Sequence, residues 1–264
     1  MDEVIALQTP EDLLAIGLWY RDFRPTADQE VTTLLTRSTP MSATHERLIE
    51  AGAGVLVPGD LTIPADPRGI VAFAHGSGSS RLSPRNRQVA QALNNDGFAT
   101  LLFDLLTPEE ERNRANVFDI PLLGRRLAAA TGWLRGQPET SQLALGYFGA
   151  STGAAAALIA AADLGHQVSA VVSRGGRPDL AAPRLGEVRA PTLLIVGGLD
   201  TQVLELNRQA QRQLRCPNDL EVVAHATHLF EEPGTLEAVA RLASDWFARH
   251  LAATPAPEPA LHKT

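Results

Sequence analysis

Short, nearly uninterrupted apolar blocks recur through the middle of the chain, at Ile70–Ala74, Phe98–Phe103, Leu143–Phe148, Val168–Val172, Thr192–Val196 and Leu220–Val223. As a set they lack the strict alternation of a half-exposed strand and read as strands buried on both faces, the pattern of a parallel sheet covered by helices. Between them the apolar spacing changes to three and four. Ile120, Leu123, Leu127, Ala130 and Leu134 share one helical face, and Leu236, Val239, Ala243, Trp246 and His250 share another. Ala154–Ala162 is alanine-rich and strongly helix-favouring. Ahead of the first block, His45–Glu50 and Gly54–Ile63 read as a more polar hairpin, which Pro58-Gly59-Asp60 is expected to interrupt. The alternation predicts one α/β domain over residues 44–252, in which an antiparallel edge leads into a parallel sheet. Residues 1–43 form an N-terminal extension, and the proline-rich residues 253–264 are expected to be a disordered tail.

Composition narrows the function classes. A chain of 264 residues with 44% hydrophobic and 20% charged residues is that of an ordinary globular protein. Its formal charge of -7 disfavours a nucleic-acid partner. Cys216 is the single cysteine, which excludes an intrachain disulfide and disfavours a thiol-ligated metal. Met1-Asp2-Glu3 lacks the basic and apolar regions of a signal peptide, and no apolar run spans a bilayer. A cytoplasmic protein without a membrane partner is expected.

The candidate chemistry centres on Gly149-Ala150-Ser151-Thr152-Gly153, a serine between two glycines where a strand should turn into a helix. A serine on such a tight turn has its hydroxyl pushed out of the sheet. It needs a base, and the base needs an orienting carboxylate. Thr192–Val196 runs through Gly197-Gly198-Leu199 to Asp200, and the next strand runs through His225 to His228. Ser151, Asp200 and His228 thus follow in order, each after its own strand. Asp200 alone would read as a helix cap, and Asp104, after Leu101-Leu102-Phe103, is a competing carboxylate. His228 is favoured as the base because it lies farther past the strand end; His225 is expected to pack or line the pocket.

An oxyanion hole needs two backbone N–H groups. Thr152, after the nucleophile, should supply one. Ser77 should supply the other, from the loop His75-Gly76-Ser77-Gly78-Ser79-Ser80, in which His75 is taken as structural. That loop lacks the lysine and spacing of a phosphate-binding P-loop. Arg81, Arg85 and Arg87 follow it, and Arg174 and Arg177 follow Val168–Val172. Such arginines commonly form a solvated face; the sharper reading is recognition of a carboxylate or phosphate, with Arg174 the first candidate, then Arg81. Glu231 and Glu232 are expected to begin the last helix. No pair of histidines has a metal-ligand spacing with a carboxylate beside it, so no metal is expected.

The elbow, the His-Gly-Ser-Gly-Ser-Ser loop and the segment Ala226-Thr227-His228-Leu229-Phe230 resemble the dienelactone-hydrolase-like group of α/β-hydrolases over residues 44–252. The resemblance implies an α/β-hydrolase fold with a mostly parallel eight-stranded sheet, no cofactor, and hydrolysis of a small-molecule ester. Dienelactone hydrolases use a cysteine where this chain has Ser151, which points to an ordinary serine esterase, and relatives commonly have glycine at His225. Ser173–Ala190 is too short to hold a large cap domain, while Thr107–Asn116 is long enough for a small flap. The same triad would also serve thioesters, amides or acyl transfer, and a non-catalytic interaction module is the rival from another class. Residues 1–37 are similar to the last strand and helix of bacterial phosphoribosyltransferases, but the diphosphate-binding signature of those enzymes does not occur. That segment is expected to be a remnant without transferase activity. Leu18, Trp19 and Phe23 are apolar enough to cover a surface, on this chain or on another copy in a homo-oligomer.

Overall fold

A computed structural model describes residues 44–251. The readings of residues 1–43 and 253–264 fall outside the described residues. Eight strands form one sheet: β1 (Thr44–Glu50), β2 (Leu56–Thr62), β3 (Ile70–Ala74), β4 (Ala99–Phe103), β5 (Leu145–Ala150), β6 (Ala170–Arg174), β7 (Thr192–Gly197) and β8 (Asn218–Val223). Their spatial order is β1-β2-β4-β3-β5-β6-β7-β8. β1 and β2 pair antiparallel, β2 joins β4 antiparallel, and every other pairing is parallel. This is the α/β-hydrolase sheet.

The helices are α1 (Pro84–Asn95), the short α2 (Pro108–Glu111) and α3 (Arg114–Val117), then α4 (Ile120–Arg135), α5 (Thr152–Leu164), α6 (Thr201–Gln213) and α7 (Thr235–His250). Every residue of β3, β4, β5, β6 and β7 is buried, as expected for strands covered on both faces. On one face Ile120, Leu123 and Leu127 of α4 and the alanines of α5 build a core with Ala72, Leu101 and Tyr147. On the other, Val89 and Leu93 of α1 pack with Val239, Ala243 and Phe247 of α7 under Val71, Phe148 and Ile195. Among the described residues, no helix is long and apolar enough to cross a membrane.

Four sequence expectations shift. β8, read from Leu220–Val223 as buried on both faces, is the last strand of the sheet and holds only exposed and half-buried residues. Pro58-Gly59-Asp60 does not interrupt the hairpin; it lies inside β2, where the Pro58 carbonyl accepts from Asp104 N and Gly59 fits against Ile49 and Phe103. β5 and β6 each begin two residues later than their apolar blocks, so Arg174 is the last residue of a strand rather than part of a loop. Glu231 and Glu232 lie in the loop before α7, which starts at Thr235 after Pro233-Gly234. The β6–β7 connection holds only a 3-10 stretch, Pro178–Glu187, and Thr107–Asn116 folds into α2 and α3.

Candidate active site

β5 ends at Ala150 and α5 starts at Thr152, leaving Ser151 alone on the turn with φ 52° and ψ -120°. Such left-handed backbone costs a residue with a side chain about 1–3 kcal/mol and persists only where its surroundings enforce it. Gly149 and Gly153 are part of that enforcement. A Cβ on Gly153 would lie 2.1 Å from Ala74 O and 2.5 Å from His75 O, and one on Gly149 would lie 2.4 Å from Ala154 Cα. Ser151 N also donates to Arg174 O at 3.2 Å, and Arg177 N donates to Ser151 O at 3.1 Å. The hydroxyl is thereby held at the carboxyl ends of β3, β5 and β6.

Asp200 occupies the N-cap position of α6, yet its carboxylate accepts no capping bond. Instead Oδ2 lies 2.6 Å from His228 Nδ1. The two loops that carry this pair are tied together: Gly198 N donates to Val223 O at 2.9 Å, and Leu199 N to Ala226 O at 3.0 Å. On either side of His228, Ala226 and Phe230 are buried and anchor the loop. Ser151 and His228 line one cavity of about 240 Å³ with Ser77, Arg85, Asn86 and Arg174. No direct hydrogen bond joins Ser151 to His228 in this structure.

The loop after β3 turns tightly, with Ser79 N donating to Gly76 O at 3.2 Å and Gly78 at φ 68°. His75 pins it. Leu105 N donates to His75 Nε2 at 3.1 Å, which leaves the ring proton on Nδ1, 3.1 Å from Gly76 O. Burial pushes this imidazole below its ordinary pKa, so it is held neutral. Thr152 is the first residue of the 13-residue α5, where backbone N–H groups lack helical partners and the dipole favours negative charge. The Ser77 amide is already engaged: it donates to Thr152 Oγ1 at 2.8 Å. Across the loop a second cavity, of about 350 Å³, is lined by Leu105, Leu106, Val117 and Leu123 beside His75.

Two candidate substrate contacts do not reach the cavity. Arg81 is neutralised where it stands, 2.9 Å from Glu46, 3.4 Å from Asp104 and 3.6 Å from Asp60. That network also occupies Asp104, which orients no histidine. His225 sits exposed in the turn after β8 with φ 62°, away from the residues lining the Ser151 cavity. Arg174, by contrast, is buried in the cavity wall. Asn86 was missed by sequence reasoning. Its signal was a polar residue on the buried stripe of α1, one turn before Val89 and Ala90.

No family model matches the chain. It is 59% identical over 269 residues to a protein of Mycobacterium tuberculosis H37Rv described as "Putative phosphoribosyl transferase", covering 95% of this chain and 59% of that one. The chain therefore spans 59% of the length of the curated relatives it matches. Among solved structures it is similar to a dienelactone hydrolase from Anabaena variabilis, at 54% identity and TM-score 0.78 over 80% of this chain and 99% of that one. A dienelactone hydrolase-like promiscuous phosphotriesterase from metagenomic libraries is 20% identical, with TM-score 0.66 over 80% of this chain and 99% of that one. The esterase domain of a Rhodothermus marinus protein is 19% identical, with TM-score 0.65 over 79% and 99%.

Proposed function

The chain belongs to the dienelactone-hydrolase-like group of α/β-hydrolases, and on that premise we propose that it is a serine hydrolase cleaving small carboxylic esters through an acyl-enzyme. The observation that carries this reading is the Asp200–His228 contact of 2.6 Å at the cavity that also holds the strained Ser151. His228 Nε2 takes the proton of Ser151 Oγ as the oxygen bonds to the ester carbonyl carbon. Asp200 keeps the other ring proton on Nδ1 and stabilises the imidazolium. The oxyanion forms against the Thr152 N–H at the start of α5, and the Ser77 N–H joins it once the Thr152 hydroxyl releases that amide. Collapse expels the alcohol, which receives its proton from His228. Water repeats the attack on the acyl-enzyme and regenerates Ser151.

The cavity volume and the absence of a cap between β6 and β7 favour small or exposed acyl groups. Phosphoribosyl transfer, the description carried by the M. tuberculosis relatives, is not assigned to this chain, because its 264 residues lack an apolar strand ending in paired acids and a glycine-threonine turn. The test is turnover of short-chain 4-nitrophenyl esters and the matching thioesters by wild type and Ser151→Ala. Wild type should hydrolyse esters faster than thioesters, and the variant should lose both reactions with its melting temperature intact. Wild-type turnover by Ser151→Ala would sink the assignment.

A further inference from the structure

The cavity of about 350 Å³ beyond the loop His75–Ser80 has no part in the steps above, yet it adjoins them. Gly76, Ser77 and Ser79 line both it and the cavity that holds Ser151 and His228. The two spaces therefore meet at the backbone that carries the Ser77 N–H. They differ in chemistry. The Ser151 cavity is walled by Arg85, Asn86 and Arg174, whereas the second is walled by Leu105, Leu106, Val117 and Leu123. The lining of the second holds one charged side chain, the carboxylate of Glu111, since burial keeps His75 neutral. Its size falls at the low end of the roughly 300–1,000 Å³ of small-molecule pockets, which are typically apolar with a few polar groups.

The apolar wall is firmly built. Leu105 and Leu106 follow β4, and the Leu105 N–H donates to His75 Nε2 at 3.1 Å, which ties this wall to the loop. Val117 ends α3, and Leu123 lies in the first turn of α4. Thr107 and Glu110 form a capping box at 3.2 and 2.9 Å, and Asn116 Nδ2 donates to Glu110 O at 3.0 Å. Glu110 in turn pairs with Arg126 of α4, so α2 and α3 are held against that helix. The reaction sets the direction in which a substrate lies. The leaving oxygen of an ester must reach His228 to be protonated, and His228 lines the Ser151 cavity but not the second one. The alcohol therefore occupies the side of His228. With the carbonyl oxygen at the Thr152 N–H, the acyl substituent is left the way past Ser77 into the second cavity.

We propose that Leu105, Leu106, Val117 and Leu123 form the acyl subsite, and that it takes a short acyl chain that is apolar to its end. This rests on the serine-hydrolase reading and narrows its substrate class. A terminal carboxylate on that chain would lose its water among four apolar side chains and meet Glu111 with like charge.

The experiment compares kcat/KM for 4-nitrophenyl acetate, hexanoate, octanoate and the adipate monoester, which share one leaving group. Wild type should favour hexanoate over acetate by more than about tenfold, the effect of burying two of its extra methylenes at about fourfold each. It should favour hexanoate over the adipate monoester by a similar factor. Val117→Trp fills the cavity from the half-buried end of α3 and should bring the hexanoate-to-acetate ratio close to one. Val117→Ala enlarges the cavity and should raise the octanoate-to-hexanoate ratio, which keeps the test open should Val117→Trp fail to fold. A hexanoate-to-acetate ratio near one in wild type, or a wild-type preference for the adipate monoester, overturns the subsite. So does an unchanged ratio in folded Val117→Trp or in Val117→Ala. Labelling of wild-type Ser151 by an uncharged fluorophosphonate separates the two failures: with labelling, only the subsite falls; without labelling or ester turnover, the serine-hydrolase reading falls with it.

Discussion

Replacing Gly153 with alanine should disable the site through geometry alone. The added Cβ would sit 2.1 Å from Ala74 O and 2.5 Å from His75 O, both backbone atoms at the end of β3 and the start of the loop that carries Ser77. Neither can rotate away, so α5 and the loop must separate by about 0.9 Å to reach the 3.0 Å below which real contacts essentially never fall. Overpacking of this kind costs about 1–3 kcal/mol. For a domain of this size that lowers Tm by roughly 2–12 °C. The separation moves Ser151 and the Thr152 N–H relative to the loop that carries Ser77. A misplacement near 1 Å costs about a hundredfold in rate. Fluorophosphonate labelling kinetics of Ser151, measured well below Tm, should therefore slow by about two orders of magnitude in Gly153→Ala. Wild-type labelling rates in that variant would refute the claim that the close approach of α5 to β3 sets the site.

Gly132→Ala is the matched control, since that glycine lies exposed near the end of α4 and its Cβ would meet nothing within 4 Å. Thermal melts should show it more stable by about 0.5–1 kcal/mol, with labelling unchanged. Asp200→Asn should lower kcat by roughly 10³–10⁴ while Tm holds, because the carboxylate serves His228 and caps nothing; a loss of tenfold or less in stopped assays would mean that His228 does not depend on it. Burial holds the pKa of His75 below 6.5, so the folded state binds fewer protons than the unfolded chain around that pH. Its contribution to stability is complete above 6.5 and is lost as pH falls below it. Melts between pH 7.5 and 5 should therefore slope downward more steeply for wild type than for His75→Gln, and equal slopes would remove His75 as the source.

The parallel core was legible because β3 is apolar throughout and β4, β5 and β7 nearly so, broken in β4 and β7 only by the buried Thr100 and Thr192, so burial on both faces is written in each block. α6 was not, since Val203, Leu204 and Ala210 share their stripe with the buried Asn207, whose amide donates to Gly176 O and Val203 O. α1 hides in the same way, its inner face carrying Asn86 and Asn94. A buried amide whose partner is distant backbone or a distant guanidinium looks, in sequence, like a solvent-facing residue. The order of Ser151, Asp200 and His228 was readable because each follows its own apolar block. The destinations of the arginines were not, because Arg81 meets carboxylates from β1, β2 and the end of β4, while Arg174 meets only an asparagine from α1. Such pairings depend on which strands lie side by side, which the local pattern does not encode.

The central claim is that Ser151 is an activated nucleophile, and intact-mass spectrometry after fluorophosphonate treatment tests it most directly. The account predicts a single adduct on wild type, placed on Ser151 by peptide mapping, and none on Ser151→Ala. A folded wild-type protein that takes up no adduct, or an adduct that persists in Ser151→Ala, would contradict it.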